Sequence, residues 1–153
     1  MFISFDQIIF WCYYKIKGGI DMGQFIIPYL AFKDSLKTAE YYKKVFNGKI
    51  EYIMKGKDMP NCPEKDLDKV MHLELVFNNN VIYMSDGDAR PTDQAMLLLN
   101  YEHLDIMKEA YNNMKIEGKI VRELAETFWG AIYGVVEDPY GMKWEFHYTI
   151  PKN

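Results

Sequence analysis

The stretch Glu126–Tyr148, ETFWGAIYGVVEDPYGMKWEFHY, contains two apolar segments separated by a turn. β-branched and aromatic residues are frequent in both segments, which predicts two strands joined as a hairpin. The carboxylate pair Glu137-Asp138, at the start of the turn, is interpreted as a cap of that turn. Glu145 stands between Trp144 and Phe146, so its side chain lies on the opposite face of the strand from the two rings. A carboxylate in an apolar strand is costly without a partner, and Glu145 is therefore a candidate functional group.

The chain around this hairpin repeats one order of elements twice. Apolar periodicity and turn residues predict a strand, a helix and three further strands in each half. The predicted elements are Phe25–Phe32, a helix from about Ser35 to Phe46, Lys49–Lys55, Val70–Phe77 and Val81–Ser85 in the first half, and Ala95–Asn100, a helix from about His103 to Ile116, Lys119–Leu124, Ala131–Glu137 and Met142–Tyr148 in the second. The predicted fold is α+β, with two βαβββ modules at about residues 25–86 and 95–150 of a single domain 23–153.

Each predicted helix covers one face of its sheet and leaves the other face free. Two such sheets side by side form a cup that is lined by their free faces. Because alternate residues of a strand point to opposite faces, the sequence also indicates which side chains line the cup. The candidates assigned in this way are Ile27, Tyr29, His72, Glu74, Glu145 and His147.

Composition excludes several function classes. The net charge of −4 and the pI of about 5.4 argue against a nucleic-acid-binding surface, which is usually basic. The apolar segment Met1–Tyr14 is shorter than the roughly 20 residues that span a bilayer, so no membrane partner is expected. The two cysteines, Cys12 and Cys62, form no CxxC motif, which favours a reducing, cytoplasmic location.

Residues 1–22 are interpreted as an N-terminal extension, and native translation is expected to start at Met22. The tripeptide Lys17-Gly18-Gly19, a few codons upstream, can be encoded by a purine-rich run that resembles a bacterial ribosome-binding site. The alternative is a genuine amphipathic extension that packs on the domain or on a partner. The mass of the natively expressed protein distinguishes the two.

Five segments, taken in their order and spacing, resemble the vicinal oxygen chelate superfamily of glyoxalases, bleomycin-resistance proteins and ring-cleaving dioxygenases. The resemblance is strongest to its PhnB-like branch and covers nearly everything after Gly23. It implies the two-module cup and a homodimer. The segments are IIPYLAF at Ile26–Phe32, AEYYKKVFNGKI at Ala39–Ile50, VMHLELVF at Val70–Phe77, IYMSD at Ile82–Asp86 and ETFWGAIYGVVEDPYGMKW at Glu126–Trp144.

Metal-dependent members of this superfamily hold a divalent cation in the cup, which implies His, Gln or Glu ligands on the first strand of each half and a Glu on the last strand. Glu145 matches the last of these positions. The first-strand position falls at Ile27, and its equivalent in the second half at Ala95, or at Gln94 if the register shifts by one. Isoleucine and alanine do not bind metals, and a single carboxylate does not hold a divalent ion against water. We therefore expect neither the usual catalytic metal nor another cofactor, and a divalent metal held by an atypical ligand set stays open as the alternative.

The preferred function is binding of a small organic molecule in an apolar, tyrosine-rich cup, with sequestration of a toxic compound as the model. In this interpretation Glu145 binds a cationic or donor group of the ligand, and it is also the candidate catalytic residue. The alternatives are a metal-dependent lyase, isomerase or thiol transferase of the glyoxalase or fosfomycin-resistance kind, with His72 or His147 beside Glu145, and a dimeric scaffold with a vestigial cup. Whether the protein is an enzyme stays open. The candidate ligand-binding residues are Tyr29, His72, Tyr83, Trp129, Glu145 and His147.

Overall fold

The computed structural model describes residues 26–88, 90 and 94–151. The N-terminal extension, Met22 and Phe25 lie outside the described residues. Within those ranges, no helix combines the length and the apolarity that a membrane span requires.

Two consecutive βαβββ modules make up the described chain, as the sequence predicts. Both first strands are shorter than predicted, so that Ile27 and Ala95 precede their strands. The first module contains β1 (Tyr29–Phe32), α1 (Ser35–Val45), β2 (Lys49–Lys55), β3 (Val70–Phe77) and β4 (Asn80–Asp86), and the second contains β5 (Leu97–Tyr101), α2 (Leu104–Met114), β6 (Lys119–Glu126), β7 (Ala131–Glu137) and β8 (Lys143–Thr149).

Each module forms its own four-stranded mixed sheet. The strand order is β1-β4-β3-β2 in the first sheet and β5-β8-β7-β6 in the second. In each sheet the first strand runs parallel to the last, and the other pairs are antiparallel. Asn78 and Asn79 have positive φ angles of 44° and 62°, which suits the tight turn between β3 and β4. β1 and β5 are edge strands, because each stands at one end of the strand order of its sheet.

Two aspartates fix the start of α1. The Asp34 side chain accepts a hydrogen bond from the backbone N–H of Lys37 at 2.9 Å and so caps the helix. One oxygen of Asp86 accepts from the Ser35 backbone N–H at 2.8 Å and from the Ser35 hydroxyl at 2.6 Å, and the other accepts from the Val70 N–H at 2.9 Å. Burial tends to raise the pKa of Asp86, but these bonds outweigh it and hold the pKa below its usual range. α1 is thereby tied to the ends of β3 and β4.

The two modules share one apolar core, which is built on the helix-covered faces of both sheets. The Phe46 ring on the first module lies 4.5 Å from Phe77 of its own sheet and 4.9 Å from Trp144 of the second sheet, centroid to centroid. On the second module, Tyr111 packs edge-on against Phe146 at 5.5 Å. Both sheets therefore bury one face against the helices, and both free faces point away from the shared core.

A buried carboxylate joins the modules within this core. Asp138 is 4% exposed, and its Oδ2 accepts hydrogen bonds from the Tyr42 hydroxyl at 2.5 Å and from the Trp144 indole N–H at 2.8 Å. Its Oδ1 accepts from the backbone N–H groups of Tyr140 and Met142 at 2.8 and 3.0 Å, which is the predicted capping of the turn. Burial, and then the charge of Asp138, raise the pKa of Tyr42. One residue thus closes the β7–β8 turn and binds α1 to the second sheet.

Candidate functional site

The candidate ligand-binding residues fall into two groups, one on each sheet. β1, β3 and β4 carry Tyr29, His72 and Tyr83 of the first sheet. Glu145 and His147 lie on β8 of the second sheet, and Trp129 lies in the turn between β6 and β7. The alternation of the strands puts the strand residues of both groups on the sheet faces opposite the shared core.

His72 and Glu74 form a buried pair on the first sheet. His72 Nε2 and Glu74 Oε1 are 3.1 Å apart, and each residue is 1% exposed. The Tyr29 hydroxyl donates to the backbone carbonyl of Met71 at 3.2 Å and lies 3.4 Å from Nδ1 on the other side of the imidazole. The Tyr83 ring meets His72 edge-on at a centroid distance of 4.6 Å. A carboxylate, a hydroxyl and a ring thus fix the orientation of the imidazole.

Strand register aligns tyrosines with this pair. Tyr29 on β1 is opposite Tyr83 on β4, which is opposite Glu74 on β3, which is in turn opposite Tyr52 on β2. The Tyr29 and Tyr83 rings meet edge to face at 6.1 Å. This cross-strand row is rich in aromatic rings that carry hydroxyl groups, which is typical of sites that bind organic molecules.

Glu145 lies at the centre of the second free face. Its neighbours across the strands are Leu98 on β5 and Val135 on β7, both apolar. His147, two residues along β8, is 2.7 Å from the Oδ1 of Asn100 through Nδ1, which is a hydrogen bond donated by the imidazole. The amide therefore orients His147.

Tyr133 and Arg122 complete this face, and the sequence analysis missed both. Burial raises the pKa of Tyr133, the interaction of its hydroxyl with the Glu145 carboxylate raises it further, and the charge of Arg122 lowers it. The Arg122 guanidinium carbon lies 5.1 Å from the Tyr133 ring centroid and 5.9 Å from that of Trp129. A carboxylate, a phenol, an indole and a guanidinium therefore meet on one surface.

Several apolar side chains of the second module are exposed. Leu98 is 54% exposed and Trp129 is 48% exposed, and Met96 and Phe128 are exposed as well. Exposed apolar side chains gathered beside a few polar groups are typical of a binding surface. The second free face has the composition of such a surface.

The donor set of the chain does not fit the divalent cation of metal-dependent relatives. Among residues 26–88, 90 and 94–151, no three His, Cys, Asp or Glu side chains are grouped so that they could hold a metal ion. Ile27 and Ala95 offer no donor atom, and the cross-strand neighbours of Glu145 are apolar. Within the described residues, Glu145 is therefore not grouped with two further His, Cys, Asp or Glu side chains, and a stable site requires three or four ligands.

Comparisons with known proteins agree with this fold. The family described as Glyoxalase/Bleomycin resistance protein/Dioxygenase superfamily matches residues 27–146. Protein YjdN of Escherichia coli (strain K12) is 28% identical over 134 residues, which are 76% of this chain and 90% of YjdN. The crystal structure of PA1353 from Pseudomonas aeruginosa has a TM-score of 0.73 at 23% identity, over 84% of this chain and 100% of that one. The PhnB protein of Bacillus cereus, described as a putative 3-demethylubiquinone-9 3-methyltransferase, has a TM-score of 0.66 at 18% identity, over 84% of this chain and 100% of that one. The chain belongs to the glyoxalase/bleomycin resistance protein/dioxygenase superfamily.

Proposed function

We propose that the protein binds a small organic molecule on the free face of the second sheet and sequesters it without a divalent metal. The observation that carries this proposal is the half-buried Glu145 carboxylate, which lies beside the Tyr133 hydroxyl on a face with exposed Leu98 and Trp129. A carboxylate in such surroundings favours an ammonium group or another strong donor. The apolar side chains bind the organic body of the ligand.

A second copy of the chain completes the site in this proposal. The two candidate groups of one chain lie on separate sheets whose free faces point away from the common core. β1 and β5 are open edges, and a twofold axis can set the first sheet of one copy against the second sheet of the other. Two identical pockets result, in each of which the exposed Tyr29 of one copy faces Glu145 of the other.

The substitution Leu98→Glu tests the dimer. Leu98 is opposite Glu145 on the open face, so a second carboxylate there adds charge repulsion to a surface that the dimer buries. We expect a dimeric wild-type protein and a largely monomeric variant by light scattering. Ile116→Glu is the matched control, because Ile116 is exposed just beyond α2. The molar mass of this variant should equal that of the wild-type dimer. A monomeric wild-type protein would contradict the dimer.

The substitution Glu145→Gln tests the ligand site, with benzylamine as an aromatic ammonium probe. Loss of one charge-assisted hydrogen bond is expected to weaken binding about tenfold, which corresponds to about 1.4 kcal/mol. The affinity is measured by NMR titration of the Trp129 indole signal. Glu109→Gln, on the exposed surface of α2, is the control and should bind like the wild type. Equal affinities of wild-type and Glu145→Gln protein would refute the role of Glu145.

The cytoplasm is the compartment that this proposal assigns to the protein. Cys62 is a free thiol in the loop between β2 and β3. Thiols persist in reducing compartments, which supports the assignment. The ligand would then be a compound that the cell encounters internally.

A further inference from the structure

A single cross-strand row connects Arg122 with Glu145. Arg122 on β6 is opposite Val135 on β7, which is opposite Glu145 on β8. Neighbouring strands lie about 4.8 Å apart, so the Cα atoms of Arg122 and Glu145 are separated by roughly 10 Å. Opposite charges thus stand at two ends of one face, with the Tyr133 phenol between them.

The guanidinium of the exposed Arg122 contacts two aromatic rings. Arg122 lies over Tyr133 and beside Trp129, and such stacking restricts a side chain that is otherwise flexible. Within the described part of the chain, Arg122 and Glu145 take part in no ion pair. The planar donor fork of arginine matches both oxygens of a carboxylate. An oriented guanidinium with no acidic partner therefore suits an anionic group of a ligand.

We propose that the ligand is zwitterionic, with an ammonium group at Glu145, a carboxylate at Arg122 and an apolar body across Tyr133. This inference rests on the proposed function and adds the second charge to it. A purely cationic ligand on the same face would be repelled by Arg122 and would leave the guanidinium covered but unpaired, which is unfavourable. A carboxylate at the far end of the ligand removes both penalties.

Three probes of one shape test the inference: benzylamine, benzoate and para-aminomethylbenzoate. We expect the zwitterion to bind the wild-type protein about tenfold more tightly than benzylamine, because it adds one charge-assisted contact. Arg122→Gln should abolish this advantage without weakening benzylamine, and Arg122→Lys should keep part of it, since lysine retains the charge but lacks the fork. Lys119→Gln, an exposed substitution on the same strand, is the control and should change none of the affinities. Thermal unfolding of each variant confirms that it is folded.

The outcomes separate this inference from the function on which it rests. Equal affinity of the wild-type protein for benzylamine and the zwitterion, or an advantage that survives in Arg122→Gln, overturns the zwitterionic ligand and leaves the ammonium site at Glu145 standing. Failure of both amines to bind the wild-type protein overturns the inference together with the proposed function.

Discussion

Replacement of Asp138 by alanine is expected to lower the free energy of unfolding by about 4 kcal/mol. The change leaves the Tyr42 hydroxyl and the Trp144 indole N–H buried without their acceptor, and each such group costs about 1–3 kcal/mol. The N–H groups of Tyr140 and Met142 lose their acceptor as well, so the turn loses its cap. The link between α1 and the second sheet is lost with the same side chain.

Urea unfolding measures this loss, and thermal unfolding should show a midpoint lower by about 10 °C in a chain of this size. Tyr42→Phe removes only one of the donors, and we expect it to cost about 1.5 kcal/mol. Glu137→Ala, at the neighbouring carboxylate, is the matched control and should cost less than about 1 kcal/mol. An Asp138→Ala protein within 1 kcal/mol of the wild type would show that this carboxylate does not hold the modules together.

Replacement of Glu74 by leucine is expected to cost about 3 kcal/mol, because it leaves His72 buried without the carboxylate that is 3.1 Å from its Nε2. The double variant His72→Leu/Glu74→Leu should recover much of the loss, since it removes both partners of the buried pair together. The same substitution at Glu51, which forms an exposed pair with Lys49, is the control and should cost less than about 0.5 kcal/mol.

Chemical denaturation of the two single variants and the double variant gives the coupling energy of the buried pair. A coupling of about 2 kcal/mol is expected from a pair that is fully removed from solvent. Additive effects of the two substitutions would instead mean that His72 and Glu74 contribute independently to stability. The claim that Glu74 fixes the His72 imidazole on the first free face would then be wrong.

Strand bounds were predictable where the alternation of side chains is regular and turn residues flank it. The bounds of β2, β3 and β7 agree with the predicted ones. The first strands of both modules begin later than predicted. β5 begins at Leu97, opposite Trp144, since β8 itself begins just after the turn that ends at Gly141. The apolar residues before Leu97 did not indicate that the strand begins only at Leu97.

The alternation of side chains also assigned Glu145 and His72 to free faces. It did not predict the orientation of Arg122, and the reason is physical. Ile120 is opposite the buried Val136, and strict alternation would give Arg122 the same orientation as Ile120. A register shift between the two residues sets Arg122 opposite Val135 instead and turns it to the free face. An irregularity of this kind depends on the partner strand, so one strand's sequence does not reveal it.

Long-range packing was beyond the sequence pattern. Capping of the β7–β8 turn by the Glu137-Asp138 pair was predictable from the turn, whereas the choice of Asp138 and its bond to Tyr42, 96 residues away, were not. The division of the candidate residues into two groups follows from the same packing, in which Phe46 reaches across to Trp144. The strand pattern indicates which side chains share a face of a sheet, but the packing of the helices determines the relative position of the two sheets.

The metal content of the protein, purified without chelators or an affinity tag, tests the central claim most directly. Because the donor set around Glu145 does not fit a divalent cation, elemental analysis is expected to find no stoichiometric zinc, nickel or manganese. One such ion per chain in the wild-type protein, lost in Glu145→Gln, would make Glu145 a metal ligand and would contradict the account.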